Sequence, residues 1–255
     1  MANVESPNQK LILTHAALAG LTPLIPIPFG DDVAKDYLQR RMVKALGDAR
    51  GIVLSAEGIA ILGDDAHRSW AMGAAKSVVL FPLKLLLRKT FLVLAGKRIV
   101  DHASECYHRG FLVDYAFERR WCAPAGPRQP AEVRAAVDAV CREVTTAPIE
   151  HALKAGFAQS KVALQNAGEL LQRITQRIRG TTPAKGAQEE PVPPPEKEIE
   201  EVVETVAQGD ARSIEGIVAQ LRKALGQVPE GHFNDLRRRL DEKLRPAAGA
   251  AKPIA

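Results

Sequence analysis

The chain spaces its apolar residues at intervals of three and four through most of its length, the rhythm of helices that each bury one face. After Asp31, which predicts a helix start, Val33, Tyr37, Met42 and Leu46 share a face as far as Gly47. Ser55, with Gly58 three residues on, opens a short helix through Leu62, and Gly63-Asp64-Asp65 reads as a turn. Residues 67–120 are helical in pattern, with breaks expected at Pro82 and Gly96. Pro130 begins a helix to Val144, and Pro148 begins another predicted to run unbroken to Arg179. Period-two runs of useful length are missing, so the predicted class is all-α, an irregular helical bundle.

Two proline-rich stretches interrupt this pattern. In Thr22 to Gly30, Pro23, Pro26 and Pro28 remove backbone donors and forbid a helix interior, giving an extended apolar connector. The preceding run from Leu11 joins it to make 19 residues, 11–29, with His15 as the one ionisable side chain. That length approaches a membrane span, but the prolines kink it; a buried core hairpin and a shallow insertion in lipid both fit. The second stretch, residues 181–195, is poor in apolar residues and predicts a linker.

The expected organisation is therefore a main helical domain over 1–180, the linker over 181–195, a small helical hairpin or three-helix module over 196–246, and a flexible tail over 247–255. Within the module, Ile199, Val202, Val203 and Val206 mark one helix. Ile214, Val218, Leu221 and Leu225 mark a second, in 4-3-4 spacing, and Phe233, Leu236 and Leu240 a third. Such stripes suit a helix laid in a partner's groove, so these seven residues of the second and third helices are the expected partner-binding set.

Composition adds two constraints. Of 255 residues, 46% are hydrophobic but only 5% aromatic, so aliphatic side chains must build the core. The net charge of +5 is uneven: residues 1–180 carry 24 basic and 17 acidic side chains, the remainder 11 and 13. A basic body points to an acidic partner. Cys106, Cys122 and Cys141 are odd in number and lack CxxC spacing, which predicts a reducing compartment. The polar start carrying Glu5 gives no reading of a cleavable signal peptide.

The basic excess concentrates between Ala66 and Val100, where Arg68, Lys76, Lys84, Arg88, Lys89, Lys97 and Arg98 occur without one acid. Between them lie Val78 to Leu83, Leu85 to Leu87 and Phe91 to Leu94. Lys84 and Arg88 stack on one helix face with Lys89 beside them. Central cations disfavour a spanning helix, whereas a helix lying in the headgroup plane accommodates them. Lys76, Lys84, Arg88, Lys89, Lys97 and Arg98 are the expected membrane-surface residues; a core helix with a basic solvent stripe is the alternative.

Ligand-type clusters are sparse. Asp31, Asp32 and Asp36 place Asp32 and Asp36 on one helix face, where they could hold a divalent cation or simply favour the helix dipole. Glu105 and His108 have the Glu-x-x-His spacing of di-iron bundles, and His102 and Cys106 lie one turn apart, but no second Glu-x-x-His exists. No metal site and no cofactor is predicted. Phosphate-binding loops, serine elbows and HExxH motifs are missing as well. Arg237, Arg238 and Arg239 are flanked by Asp235, Asp241 and Glu242, a pattern of a solvated face rather than a nucleic-acid contact.

The run Pro23-Leu24-Ile25-Pro26-Ile27-Pro28-Phe29-Gly30-Asp31-Asp32, followed by Gln39-Arg40-Arg41-Met42, resembles the helical domain of unknown function found beside bacterial GTPase domains. There an apolar IPIPG segment precedes an amphipathic helix; here Phe29 stands between the last proline and the glycine. The resemblance covers about residues 11–65, carries no catalytic residues, and implies a helical, membrane-associated protein whose GTPase would be a separate chain.

Together these readings predict a non-enzymatic adaptor or scaffold, peripheral at the cytoplasmic face of a membrane, with an anionic membrane surface and a protein as partners. The alternative is a metal-dependent helical enzyme using Asp32/Asp36 or Glu105/His108.

Overall fold

The computed structural model describes residues 7–25, 30–64, 88–124, 126–181 and 196–245. The described residues form ten α-helices and no strand. They are α1 (Gln9–Leu21), α2 (Gly30–Ala49), α3 (Ala56–Gly63), α4 (Arg88–Glu118) and α5 (Pro130–Glu143), then α6 (Ala147–Gln159), α7 (Lys161–Thr181), α8 (Glu196–Gly209), α9 (Ala211–Leu225) and α10 (Glu230–Leu244). The protein is an all-α helical bundle.

The organising element is α1. It is apolar on nearly every side, and a helix of that kind must be surrounded. Ile12, Leu13, Ala16, Ala17, Leu18, Ala19 and Leu21 are all buried, with α2, α4, α7 and α9 packed around them. The described part of the 11–29 run is thus core. No helix among the described residues is long and apolar enough to cross a membrane. A 3₁₀ turn, Thr22–Leu24, ends α1, and Ile25 is extended.

Local chemistry sets the helix ends. Ser55 caps α3 by accepting from the Gly58 N–H at 3.0 Å. Gly51, at φ +64°, closes α2: the Ile52 N–H reaches the Gly47 carbonyl at 2.8 Å and the Gly51 N–H reaches that of Asp48 at 3.1 Å. Asp31 lies inside the first turn of α2 rather than at its cap, because the helix already includes Gly30.

Two expected boundaries fall elsewhere. α4 runs straight through Gly96, whose surroundings hold nothing within 4 Å of an added Cβ. The helix expected from Pro148 to Arg179 is broken at Ser160. Its N–H bonds the Phe157 carbonyl, three residues back, and its hydroxyl donates to the Gly156 carbonyl at 2.9 Å. A serine hydroxyl competing for a backbone carbonyl one turn back is a local alternative to the regular helix.

The largest correction concerns residues 196–245. They do not form a separate module. α8 packs on α2 and α7, α9 lies between α1, α6 and α7, and α10 covers α4 and α5. Ile214, Val218, Leu221, Leu225, Leu236 and Leu240 are buried in the same core as α1, and Phe233 packs partly buried against it. Polar contacts fasten the join. Tyr37 donates to Glu204 at 2.9 Å and Arg41 pairs with the same carboxylate. Tyr115 donates to Asp241 at 3.0 Å, and Lys243 pairs with Glu143 at 2.7 Å. The linker over 181–195 and the tail over 247–255 lie outside the described residues, Thr181 excepted, which ends α7.

Candidate functional site

α2 and α4 run side by side and share a polar seam. Arg98 meets Asp31 at 2.5 Å, Lys35 meets Glu105 at 2.9 Å, and Arg109 donates to Gln39. From pair to pair α2 advances by one turn each time, whereas α4 advances by two turns from Arg98 to Glu105 and by one from Glu105 to Arg109; together the three pairs fix the register of the two helices. The side chains of Lys35 and Arg109 are each only 7% exposed. At the same interface the Thr22 hydroxyl lies 3.0 Å from His102 Nδ1, and Cys106 packs on the Met42 sulfur. Burial drives the Cys106 thiol up to about 12, so it stays protonated and inert near neutral pH.

A second polar layer sits where α3 ends. Arg134, buried, donates to the carbonyls of Ile61 at 3.2 Å and Leu62 at 3.3 Å, and also to that of Asp64. Its other edge pairs with Asp138 at 2.7 Å. Arg109 donates to the Gly63 carbonyl at 3.1 Å. The two guanidiniums satisfy the last carbonyls of α3 and oppose its dipole. Gly63 itself has no room for a side chain, since a Cβ there would lie 2.8 Å from the Arg40 Cα.

Between α4, α5 and the start of α6 these layers border a cavity of about 440 Å³. Ser104, Glu105, His108 and Arg109 face it from α4, and Arg134, Asp138, Cys141 and Arg142 from α5. His108 is 2% exposed, and its Nδ1 lies 2.7 Å from the Ser104 carbonyl. A carbonyl only accepts, so Nδ1 carries the proton and Nε2 is a bare lone pair. Burial holds this imidazole down at about 4, so it is neutral near pH 7. Its Nε2 is buried with no hydrogen-bond partner among the described residues.

The structure gives other partners to the residues that sequence spacing had grouped. Glu105 and His108 border the same cavity, but the Glu105 carboxylate is paired with Lys35 and Arg109, and the His108 Nδ1 is held by the Ser104 carbonyl. A carboxylate held by two buried cations is a poor candidate for a metal ligand, because those cations already neutralise it. Among the described residues no group of three ligand-type side chains converges, and Asp32 and Asp36 gain no third acid. In the arginine triplet, Arg237 lies over the Phe111 ring at 5.2 Å, Arg238 pairs with Asp235 and Glu242, and Arg239 pairs with Asp235 at 3.0 Å.

Of the expected membrane-surface residues, Lys76 and Lys84 lie outside the described residues, as do the side chains of Arg88 and Lys89. Lys97 is exposed on α4, two residues before buried Ile99. Arg98 is not a free surface cation, since Asp31 holds it. The sequence singles out Asp31, Arg98, Glu105 and His108, but for other roles; that they form a seam and border a cavity with Lys35, Gln39, Arg109 and Arg134 follows only once α2, α4 and α5 are known to be neighbours.

Comparison of the chain with protein-family models, curated proteins and solved structures finds no match.

Proposed function

We propose that this chain is a non-enzymatic helical adaptor that meets the anionic cytoplasmic face of a membrane through residues 66–100 and holds a protein partner there. The observation that carries the reading is the seven cations with no acid between Ala66 and Val100, interleaved with apolar runs. Each cation near an anionic surface is worth about 1 kcal/mol. The fold is compatible with this use: α4 is anchored in the core from Ile99 onward, and Lys97 ahead of it is exposed. The partner half of the reading rests on the resemblance of residues 11–65 to a GTPase-associated domain. It no longer rests on α9 and α10, whose apolar stripes are spent on the core.

Flotation with vesicles tests the membrane half. The chain should float with phosphatidylserine-containing vesicles and stay behind with neutral ones. The triple change Lys84→Glu, Arg88→Glu, Lys89→Glu should lower binding by about two orders of magnitude at an unchanged circular dichroism spectrum. Wild-type chain that never floats with anionic vesicles ends the reading.

A further inference from the structure

The apolar stripe of α9 is spent on the core, but an adjoining edge of the same helix is not. Ala211, Glu215, Ala219 and Lys223 recur every four residues, so they share one face, and all four are exposed. They line a groove of about 1080 Å³. Buried Ile214 and Val218 give the groove an apolar floor, and Lys10 of α1 and Arg222 border it.

The charges on this face are arranged about its middle. Glu215 and Lys223 form no ion pair among the described residues. Eight residues of helix, about 12 Å, keep them from meeting each other. Ala219 lies four residues from each. Such a face is complementary to itself. In an antiparallel pairing of two α9 helices about a two-fold axis at Ala219, Glu215 of each chain faces Lys223 of the other. The same register sets Arg222 over Gly216 of the other chain. Gly216 is exposed inside α9, and a Cβ there would meet nothing within 4 Å among the described residues. Glycine weakens a helix interior, and no described neighbour requires it here, whereas a second helix crossing at that point uses the space. A uniformly acidic foreign helix fits less well, because Glu215 would then face like charge.

We propose that this face of α9 is a dimerisation surface that takes a second copy of the chain, antiparallel, with Ala219 against its own counterpart. Ala211, Gly216 and Ala219 are small enough for the two helix axes to approach to about 8 Å. The groove follows the 15 residues of α9, about 22 Å, and extends onto α1 and α8. That breadth suits an interface of standard size, roughly 800 Å² on each chain. Lys10 and Arg222 add to the positive field that receives Glu215 of the copy. The proposal uses none of residues 66–100 and stands apart from the membrane reading.

Sedimentation velocity of the full chain across the micromolar range tests it, and a monomer–dimer equilibrium is expected. Lys223→Glu and Glu215→Lys should each weaken dimerisation by at least about tenfold, because symmetry introduces each like-charge pair twice. Combining the two exchanges the charges and should restore the dimer. Ala219→Cys should form a disulfide-linked dimer in oxidised glutathione faster than the wild type, whose Cys106 and Cys122 are buried. All three positions are exposed, so the circular dichroism spectrum should not change. Four results overturn the proposal: wild-type chain monomeric throughout the range, a dimer indifferent to both single charge changes, a double variant weaker than either single one, or Ala219→Cys cross-linking no faster than wild type.

Discussion

Gly156 on α6 and Leu221 on α9 meet without room for one more carbon: a Cβ on Gly156 would lie 2.8 Å from Leu221 Cδ2 and 3.0 Å from its Cα. The contact joins the body of the protein to its C-terminal helices, and a backbone atom stands in the way, so the crowding cannot be relieved by a rotamer change. Gly156→Ala should therefore destabilise the fold by about 1–2 kcal/mol, the overpacking loss exceeding the helix-propensity gain. Gly96→Ala, with nothing within 4 Å, should show the gain alone, about 0.5–1 kcal/mol. Urea midpoints decide both; a stabilised Gly156→Ala would mean that α9 does not sit on α6 this closely.

The same join makes a forecast about cleavage. A protease site inserted after Gly186 and cut should leave two pieces that co-elute in gel filtration and part only in denaturant. The reason is that Leu221, Leu236 and Leu240 are fully buried in the shared core. Separate elution under native conditions would restore an independent C-terminal module.

Glu105 stands against two buried cations, Lys35 at 2.9 Å and Arg109 at 3.4 Å. Removing an anion from buried cations costs more than removing one cation from the set. Glu105→Ala should destabilise by about 1–2 kcal/mol, since its side chain is 37% exposed and solvent screens the pairs, and Lys35→Met by clearly less, because methionine fills the same apolar stem space. Adding Lys35→Met to Glu105→Ala should recover part of the loss. Chemical denaturation of the three variants gives the order, and Lys35→Met as the most damaging change would contradict the seam.

Burial lowers the pKa of His15, His102, His108 and His232 alike, His108 to about 4. Each folded-state value lies below the unfolded one of about 6.5, so on acidification the unfolded chain takes up protons first. The stabilising effect of neutral histidines is therefore complete above about pH 6.5 and is lost as the pH falls towards 4. His108 alone contributes on the order of 3 kcal/mol of that loss. Urea midpoints should stay nearly level from pH 7.5 to about 6.5 and then fall to pH 5.5, a range above most carboxylate titration, and His108→Phe should flatten that fall. A midpoint independent of pH over that range would remove the buried neutral imidazole.

The helices themselves were legible in the chain, because their causes are local. Ser55 with Gly58, Pro130 at a first turn and the three-four spacing of Ile214, Val218, Leu221 and Leu225 act within a few residues, and each helix appears where they place it. What covers each helix was not legible. Apolar burial is non-directional, so the stripe on α9 fits a foreign groove and its own body equally well, and periodicity reports only that a face is apolar. Only the packing of α9 between α1, α6 and α7 chose the second. The polar seam was hidden for the same reason. Asp31 reads as a helix start, Arg98 as a membrane-surface cation and Glu105 as half of a Glu-x-x-His pair, and nothing in the sequence joins them to Lys35, Gln39 and Arg109 until the two helices are set side by side. Register is a property of the pair, and neither helix carries it alone.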